Sequence, residues 1–448
     1  MELIGSRPDR KVIIYFALTI LIGTGLLMLP VSAANNQLRL VDALFTSTSA
    51  VCVTGLTVLD TGHDFSLFGQ IVILTLIQLG GLGIMTFASI LLVTVVPRLS
   101  LRDRLVISQT LGGGQMIRPM TLLKAVALST FIIELIGAGL LFLKFRTQFP
   151  IGEAVFHSIF HAVSAFCNAG FSTFSTSLEY YSGNFYVISV FSILIICGGL
   201  GFVVIGEIVS RFAYKSTRVS LHTKLCLSMT VVLLLIGTLA FMLADYGNVF
   251  GDMNFGWSLV NAFFQAVTCR TAGFNTIPQA NLTEVSLLVT MILMFIGACP
   301  GSTGGGVKTT TIAIIFLLAY NRFRGRISIR AFKKTISHDS VIKALTVIVA
   351  AATIIAIMFV LFMFAEEHTI PHRLSHGWFI ESLFEMISAF GTVGLSLGIT
   401  GGLHDFGKVL IILLMFIGRV GLLTLVFALA REPKKGEIVY IEEQVMVG

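Results

Sequence analysis

The chain has 448 residues, of which 55% are hydrophobic and 12% are charged, and its formal net charge is +7. Soluble globular proteins contain about 25% charged residues, so a chain this apolar cannot cover its surface in water. We therefore expect one polytopic membrane domain over residues 1–448. The Lys and Arg residues lie in short loops between apolar segments, which indicates membrane topology rather than nucleic-acid binding.

Eight apolar segments are long enough to cross a bilayer, which takes about 20 residues of helix. They cover roughly residues 12–31, 67–96, 121–145, 185–212, 223–245, 284–320, 343–365 and 406–430. Between the members of each successive pair lies a shorter, half-apolar stretch, starting near Leu40, Gly152, Trp257 and Phe379. These stretches are too short to span, so the sequence predicts an all-α membrane protein with eight transmembrane helices.

The distribution of charge orients these helices. One side, with both termini and the loops near 97–124, 211–224 and 321–343, holds 22 basic and 9 acidic residues. The opposite side holds 5 basic and 13 acidic residues. Because cytoplasmic loops are enriched in Lys and Arg, both termini are predicted to be cytoplasmic. The acidic outer face would concentrate cations at an entrance there.

A fixed ten-residue offset marks an internal repeat. In each short stretch a Phe precedes a Gly by ten residues, and each stretch lies between two apolar segments. The four pairs are Phe45 and Gly55, Phe160 and Gly170, Phe263 and Gly273, and Phe384 and Gly394. The chain is therefore predicted to contain four tandem units of helix, pore loop and helix around one pore, over approximately 12–96, 121–212, 223–320 and 343–431.

The glycine turns are the candidate ion-binding elements. Non-helical backbone at membrane depth is tolerated only where it is buried in protein or lines a water-filled cavity. Four such turns around one axis could present carbonyl dipoles that replace the hydration shell of a cation. The candidate residues are Val53, Thr54, Gly55, Asn168, Ala169, Gly170, Thr271, Ala272, Gly273, Thr392, Val393 and Gly394. None is acidic, which argues against divalent selectivity. Helix capping alone would explain one glycine, but not four equivalent ones.

The same segments carry a family resemblance. Residues 48–57, 165–172, 269–276 and 388–396 resemble the four pore loops of the Trk/Ktr/HKT superfamily of potassium transporters, and the Ktr membrane subunits are the most similar branch. The resemblance implies uptake of K⁺ across the cell membrane, and Gly at all four filter positions matches the potassium-selective members. It also implies a homodimer with one pore per chain, a cytosolic nucleotide-binding RCK ring as partner, and Na⁺ as an activator without a located site.

The predicted sixth span is too long for one straight crossing. It contains Pro300 and five glycines between residues 297 and 306, which would break a helix. Unwound backbone there would lie just below the glycine turns, and the resemblance agrees, since this segment matches the intramembrane gating loop of the superfamily. The candidate gate residues are Gly301, Ser302, Thr303, Gly304, Gly305, Gly306, Lys308 and Arg419. A packing kink between helices is the alternative.

Two arginines lie within predicted membrane segments. Arg419 is in the eighth span, where a charge is costly and normally faces the protein interior. It could repel cations near the pore, hold the gate through carbonyl hydrogen bonds, or anchor another helix. Arg270, three residues before the third glycine, is expected to reach outward to an acid such as Asp252 or Glu284.

Other functions fit less well. His157 and His161 have the i, i+4 spacing of metal ligands, but no third ligand is evident, so packing of the second short helix is preferred. A secondary transporter that couples K⁺ to Na⁺ is the main alternative, because such folds also use discontinuous helices. The apolar segments show no Ser/His/Asp, paired-Asp or metal constellation, so no enzymatic activity is predicted.

Overall fold

A computed structural model describes residues 8–34, 38–95, 119–214, 219–367 and 377–421. In chain order its helices are α1 (Pro8–Leu27), α2 (Leu40–Val51), α3 (Leu67–Val95), α4 (Pro119–Phe145), α5 (Ile151–Phe166), α6 (Phe185–Leu200), α7 (Phe202–Tyr214), α8 (Leu221–Asp245), α9 (Phe255–Thr268), α10 (Glu284–Phe295), α11 (Thr309–Phe323), α12 (His338–Glu367), α13 (Trp378–Gly391) and α14 (Asp405–Val420). Strands β1 (Arg330–Ala331) and β2 (Lys334–Thr335) form a short antiparallel hairpin. Helices dominate because in lipid each backbone polar group must find its partner within the protein.

Three helices in the described ranges are long and apolar enough to cross a membrane: Val126–Phe145, Leu221–Asp245 and His338–Glu366. The pair α6 and α7 forms a fourth candidate, but the two helices are bent by 101° at Gly201. The predicted span 185–212 therefore consists of two helices joined by a bend. Gly201 has φ +84°, a left-handed conformation that glycine tolerates without steric cost, and α6 ends there. The first, second and sixth predicted spans contain shorter apolar helices in the described part: Lys11–Leu27, Leu67–Gly83, and the pair Glu284–Phe295 and Thr309–Phe323. The eighth corresponds to α14, so the count of eight stays a prediction.

Four short helices, α2, α5, α9 and α13, occupy the half-apolar stretches between the predicted spans. Each packs against its sequence neighbours: α2 against α1 and α3, α5 against α4 and α6, α9 against α8, and α13 against α12 and α14. Three of the phenylalanines that mark the repeat, Phe45, Phe160 and Phe384, are fully buried. Phe263 is 37% exposed, and its neighbour Phe264 is buried in its place. The buried face of α9 is therefore shifted by one residue relative to those of the other three short helices.

The last described helix packs against the first unit. Helix α14 contacts both α1 and α2. The ammonium group of Lys408 on α14 lies 2.8 Å from the carboxylate of Asp42 on α2, and both side chains are buried. At the surface, Arg39 and Asp405 form a second, exposed ion pair between the same parts of the chain. These contacts close the described helices into a ring. The predicted cytoplasmic termini and the basic stretch 97–118 lie outside the described residues.

Candidate functional site

The four glycines of the repeat lie side by side in a closed ring. A Cβ atom added to any of them would lie only 2.2–2.9 Å from the carbonyl oxygen that precedes the next glycine. The pairs are Gly55 with Ala169, Gly170 with Ala272, Gly273 with Val393, and Gly394 with Thr54. Real Cβ atoms do not approach oxygen so closely, so no side chain fits at these positions without a shift of backbone. The order around the ring follows the chain, and the fourth loop returns to the first.

The four loops also share one backbone conformation. Each glycine has a φ between +70° and +94°, and the residue two positions earlier has a φ between +49° and +74°. Those earlier residues are Val53, Asn168, Thr271 and Thr392. A β-branched residue at positive φ is a genuine outlier, and such strain, about 1–3 kcal/mol per residue, persists only where the surroundings hold it. Each loop therefore has two positive-φ residues separated by one other residue.

A hydroxyl group from each short helix holds the turn that follows it. In the first and fourth loops it accepts the amide proton of the glycine at 3.1 Å: Ser49 for Gly55, and Ser388 for Gly394. In the second and third loops it donates to the carbonyl oxygen of the residue after the glycine: Ser164 to Phe171 at 2.7 Å, and Thr268 to Phe274 at 2.6 Å. These hydroxyl groups fix the backbone at the ring. The three serines lie six residues before their glycine, and Thr268 lies five residues before Gly273.

An open cavity of about 610 Å³ lies on one side of the ring, and all four glycines line it. Its walls include the carboxylates of Asp60, Asp64 and Glu179. Burial raises the pKa of Glu179, and a hydrogen bond from the amide of Asn275, at 2.7 Å, partly offsets this rise. The cavity is therefore an acidic vestibule in front of a ring of backbone.

The broken segment between α10 and α11 lies against the other side of the ring. A Cβ atom on Gly304 would lie 2.1 Å from the hydroxyl oxygen of Thr271, and one on Gly305 would lie 2.3 Å from that of Thr392. Glycine is required at both positions because the segment touches the loops directly. The predicted span 284–320 is thus two helices joined by irregular backbone beneath the ring.

Backbone hydrogen bonds tie this segment to the bend between α6 and α7. The amides of Cys299 and Thr303 donate to the carbonyls of Gly199 and Gly198 at 3.0 and 3.2 Å, and the amide of Phe202 donates to Gly301 at 3.2 Å. The bend at Gly201 opens the backbone groups that these bonds need, because a helix end leaves its last carbonyls and first amides unpaired.

Two cationic side chains hold the same segment. Arg419 is 2% exposed, donates through Nη1 to the carbonyl of Thr303, and donates through Nη2 to the carbonyl of Gly80 at 2.7 Å. Lys308 donates from Nζ to the carbonyl of Gly304 at 2.6 Å. Both charges therefore lie beside the irregular backbone and fix its position through hydrogen bonds to its carbonyl groups.

Comparison with known proteins identifies the family. The model of the TrkH family, described as "Cation transport protein", matches residues 6–439. The chain belongs to the TrkH family. It is 39% identical over 443 residues to the Ktr system potassium uptake protein B of Bacillus subtilis (strain 168), which covers 98% of this chain and 97% of that protein. It is also 39% identical over 448 residues to the Potassium/sodium uptake protein NtpJ of Enterococcus hirae, with 98% and 97% covered.

The fold agrees with this membership. The crystal structure of the potassium transporter TrkH from Vibrio parahaemolyticus superposes with a TM-score of 0.75 at 20% identity, covering 96% of this chain and 86% of that one. The similarity shows a TrkH-like arrangement of helices. As a member of the TrkH family the chain is a multi-pass membrane protein for cation transport and not an enzyme.

In this TrkH-family chain, Arg270 does not lie where the sequence suggested. It is 6% exposed, and its Nη2 donates to the hydroxyl of Thr230 on α8 at 3.3 Å. The prediction of an outward contact with Asp252 or Glu284 is wrong. Asp252 precedes the start of α9, whereas Arg270 follows its end, and a helix of 14 residues is about 21 Å long, which exceeds the reach of an arginine.

Proposed function

We propose that this TrkH-family chain takes up K⁺ across the cell membrane through a pore whose selectivity filter is the ring of Gly55, Gly170, Gly273 and Gly394. The closure of that ring carries the proposal, because each glycine lies against the carbonyl that precedes the next. A ring of carbonyl dipoles can replace the hydration shell of a monovalent cation. The printed names of the relatives from Bacillus subtilis and Enterococcus hirae both include potassium uptake, which supports K⁺ as the ion.

The filter residues would be the three that end at each glycine. Their carbonyl oxygens would face the ion path. None of the twelve residues is acidic, which suits a monovalent rather than a divalent cation. Among the described residues, the buried hydroxyls of Thr54 and Thr392 have no hydrogen-bond partner. A cation or its hydration water beside them would supply a partner for these oxygens, since buried polar groups are otherwise paired.

The wider architecture follows from the repeat. Four units, approximately 12–96, 121–212, 223–320 and 343–431, would surround one pore with eight transmembrane helices and both termini in the cytoplasm. The acidic vestibule would then face outward and raise the local concentration of cations. Residues 301–306 would form an intramembrane gate that Lys308 and Arg419 hold in place beneath the filter.

Family resemblance supplies the partners of this proposal. The chain would act as a homodimer, with one pore per protomer, on a cytosolic nucleotide-binding RCK ring. The names of the relatives from Bacillus subtilis and Vibrio alginolyticus, Ktr system potassium uptake protein B, support a multi-component system. Na⁺ would serve as an activator. Coupled uptake of K⁺ and Na⁺ is the second candidate, because the relative from Enterococcus hirae is named Potassium/sodium uptake protein NtpJ.

Uptake of rubidium-86 into liposomes tests the proposal. The full-length protein is reconstituted, and K⁺, Na⁺ and Li⁺ compete for uptake. We expect K⁺ to compete best, and Gly170→Ala to weaken that preference, because the new Cβ would lie 2.9 Å from the carbonyl of Ala272. Gly139→Ala is the matched control, since nothing lies within 4 Å of that glycine.

The same assay separates a pore from coupled transport. Uptake that is proportional to the driving force in the absence of Na⁺ supports a pore, whereas an obligatory requirement for Na⁺ entry with each Rb⁺ supports coupling. A preference for K⁺ that is identical in Gly170→Ala and the unchanged protein would sink the filter assignment.

A further inference from the structure

Two of the four loops carry an additional hydrogen bond on their outer side. In the second loop, Nε2 of His161 lies 3.0 Å from the hydroxyl oxygen of Ser172. In the fourth loop, the hydroxyl of Ser396 donates to the carboxylate of Glu385. His161 and Glu385 each lie nine residues before the glycine of their loop, and the two serines each lie two residues after it. The two contacts are therefore equivalent in the repeat.

The hydroxyl groups of Ser172 and Ser396 also have equivalent hydrogen-bond partners. Each serine oxygen accepts an amide proton from two residues further on, from Phe174 at 2.9 Å and from Gly398 at 2.8 Å. Each hydroxyl proton is then available for donation toward the short helix.

The tautomer of His161 follows from its other contact. Its Nδ1 lies 2.8 Å from the carbonyl oxygen of His157, and a carbonyl only accepts, so Nδ1 carries the proton. Nε2 of the neutral imidazole is then an acceptor, like the carboxylate of Glu385. Both side chains are completely buried, so water does not compete for either hydrogen bond.

The first and third loops lack this contact. Thr46 stands at the equivalent position of the first unit and donates within its own helix, to the carbonyl of Asp42 at 2.9 Å. Phe264 stands there in the third unit and has no polar side-chain atom. The residue two after the third glycine, Asn275, contacts Glu179 of the second unit instead. The outer bond to the short helix is thus confined to the second and fourth loops of the described chain.

The second and fourth loops face each other across the ring, because the ring follows chain order. We propose that His161 and Glu385 are positioning residues that fix the width of the filter along this one diagonal and so set its preference for K⁺ over Na⁺. This inference rests on the proposed function. A filter that selects by size must resist contraction around the smaller ion, and the two serines anchor the backbone that follows Gly170 and Gly394 to the short helices.

Competition by K⁺ and by Na⁺ for rubidium-86 uptake into liposomes tests the proposal. His161→Phe places in the second unit the residue found in the third, and Glu385→Met removes the acceptor at similar length. Each is expected to lower the K⁺-over-Na⁺ preference by about three- to tenfold, the effect of one lost hydrogen bond. His161→Gln and Glu385→Gln retain an acceptor and should restore most of it. Thr46→Val alters the equivalent position of the first unit and should leave the preference unchanged.

Two further variants make the test specific. Glu385→Met should add little to Ser396→Ala, because the carboxylate acts through that hydroxyl, whereas independent packing effects would add. If His161→Phe and Glu385→Met change the amount of uptake but not the preference, while Gly170→Ala lowers the preference, the positioning role is overturned and the filter stands. If Gly170→Ala also leaves the preference unchanged, the filter fails and the positioning role fails with it.

Discussion

The guanidinium of Arg419 on α14 donates a buried hydrogen bond to the main-chain carbonyl of Thr303 in the broken segment. The same guanidinium donates to Gly80 on α3 at 2.7 Å, so one side chain clamps the broken segment against another helix. A buried arginine at membrane depth is costly, and such residues mark ion pathways or pair with carbonyls. This clamp is therefore the first element to alter if the broken segment is a gate.

Removing the hydrogen bonds of Arg419 should open the proposed ion pathway. Arg419→Ala is expected to raise rubidium-86 uptake by about tenfold, because each hydrogen bond to a charged group contributes about 1.5–3 kcal/mol. Arg419→Lys is the matched control, since lysine keeps the charge but cannot hold two carbonyls in the manner of the planar guanidinium. Intermediate uptake in the lysine variant would assign part of the effect to charge. Uptake at the wild-type rate in both variants would contradict a gating role.

Shortening the broken segment should have the same effect. Ile296 and Val307 form a parallel bridge, and Gly297 donates to Val307 at 2.8 Å, so the ends of the segment stay together when residues between them are removed. Deletion of residues 302–305 is expected to raise rubidium-86 uptake severalfold. Arg419→Ala should add nothing to the deletion, because its partner Thr303 is gone. Additive effects would show that Arg419 acts elsewhere.

Close packing of glycine against the short helices should be essential for stability. A Cβ atom on Gly198 would lie 1.8 Å from the carbonyl of Phe166, so Gly198→Ala must displace backbone. We expect a loss of at least about 1–3 kcal/mol, the usual cost of overpacking, seen as a lower melting temperature in detergent. Gly139→Ala, with nothing within 4 Å, should melt at or above the wild-type temperature. Equal melting of the two variants would contradict the observed approach.

The two ion pairs between the first and last units should differ greatly in energy. Lys408→Met leaves the buried carboxylate of Asp42 unpaired and should destabilise the protein by about 3–5 kcal/mol. Arg39→Met breaks the exposed pair with Asp405 and should cost less than about 1 kcal/mol. Chemical unfolding in detergent measures both. The double variant Lys408→Met/Asp42→Leu should recover most of the loss, and a failure to recover would mean that Lys408 acts mainly by packing.

Acidification of the vestibule side should slow uptake at low ion concentration. Burial raises the pKa of Glu179, so this carboxylate takes up a proton at a higher pH than an ordinary glutamate does. As the pH falls through that raised value, the vestibule loses negative charge and attracts fewer cations. Glu179→Gln should remove this part of the response in a pH titration of rubidium-86 uptake.

A neighbouring histidine provides the control for that titration. Asp64 raises the pKa of His63, an exposed residue near the same vestibule, so His63 gains positive charge as the pH falls. His63→Gln should leave the Glu179 part of the response in place. A response that vanishes in His63→Gln and persists in Glu179→Gln would contradict the prediction.

The glycine turns are predictable from the sequence because turn conformation depends on local residues. The requirement for positive φ at Gly55 and its three equivalents depends on a few neighbouring residues, and repetition made the signal visible. The hydroxyl groups that hold these turns, and their two modes of hydrogen bonding, became evident only in the structure. Hydropathy located the apolar segments but could not show the bend at Gly201, since a bent and a straight apolar helix have the same composition.

Side-chain contacts between residues far apart in the chain could not be predicted from the sequence. Charge complementarity favours an outer acid as the partner of Arg270, but it does not show which residues lie within reach of the side chain. The pairing of Asp42 with Lys408 joins residues that are far apart in the chain and that no periodicity connects. Such pairings depend on how complete helices pack, which is a property of the whole fold.

The bonds at the α6–α7 bend make two chain segments mechanically dependent on each other. Phe202 begins α7, and its amide donates to the carbonyl of Gly301. The broken segment therefore cannot move away from the ring unless three backbone hydrogen bonds break or α7 moves with it. Helix α7 runs on to Tyr214, next to the basic stretch predicted to face the cytoplasm. A displacement of the C-terminal end of α7 would therefore move the broken segment that lies against Thr271 and Thr392.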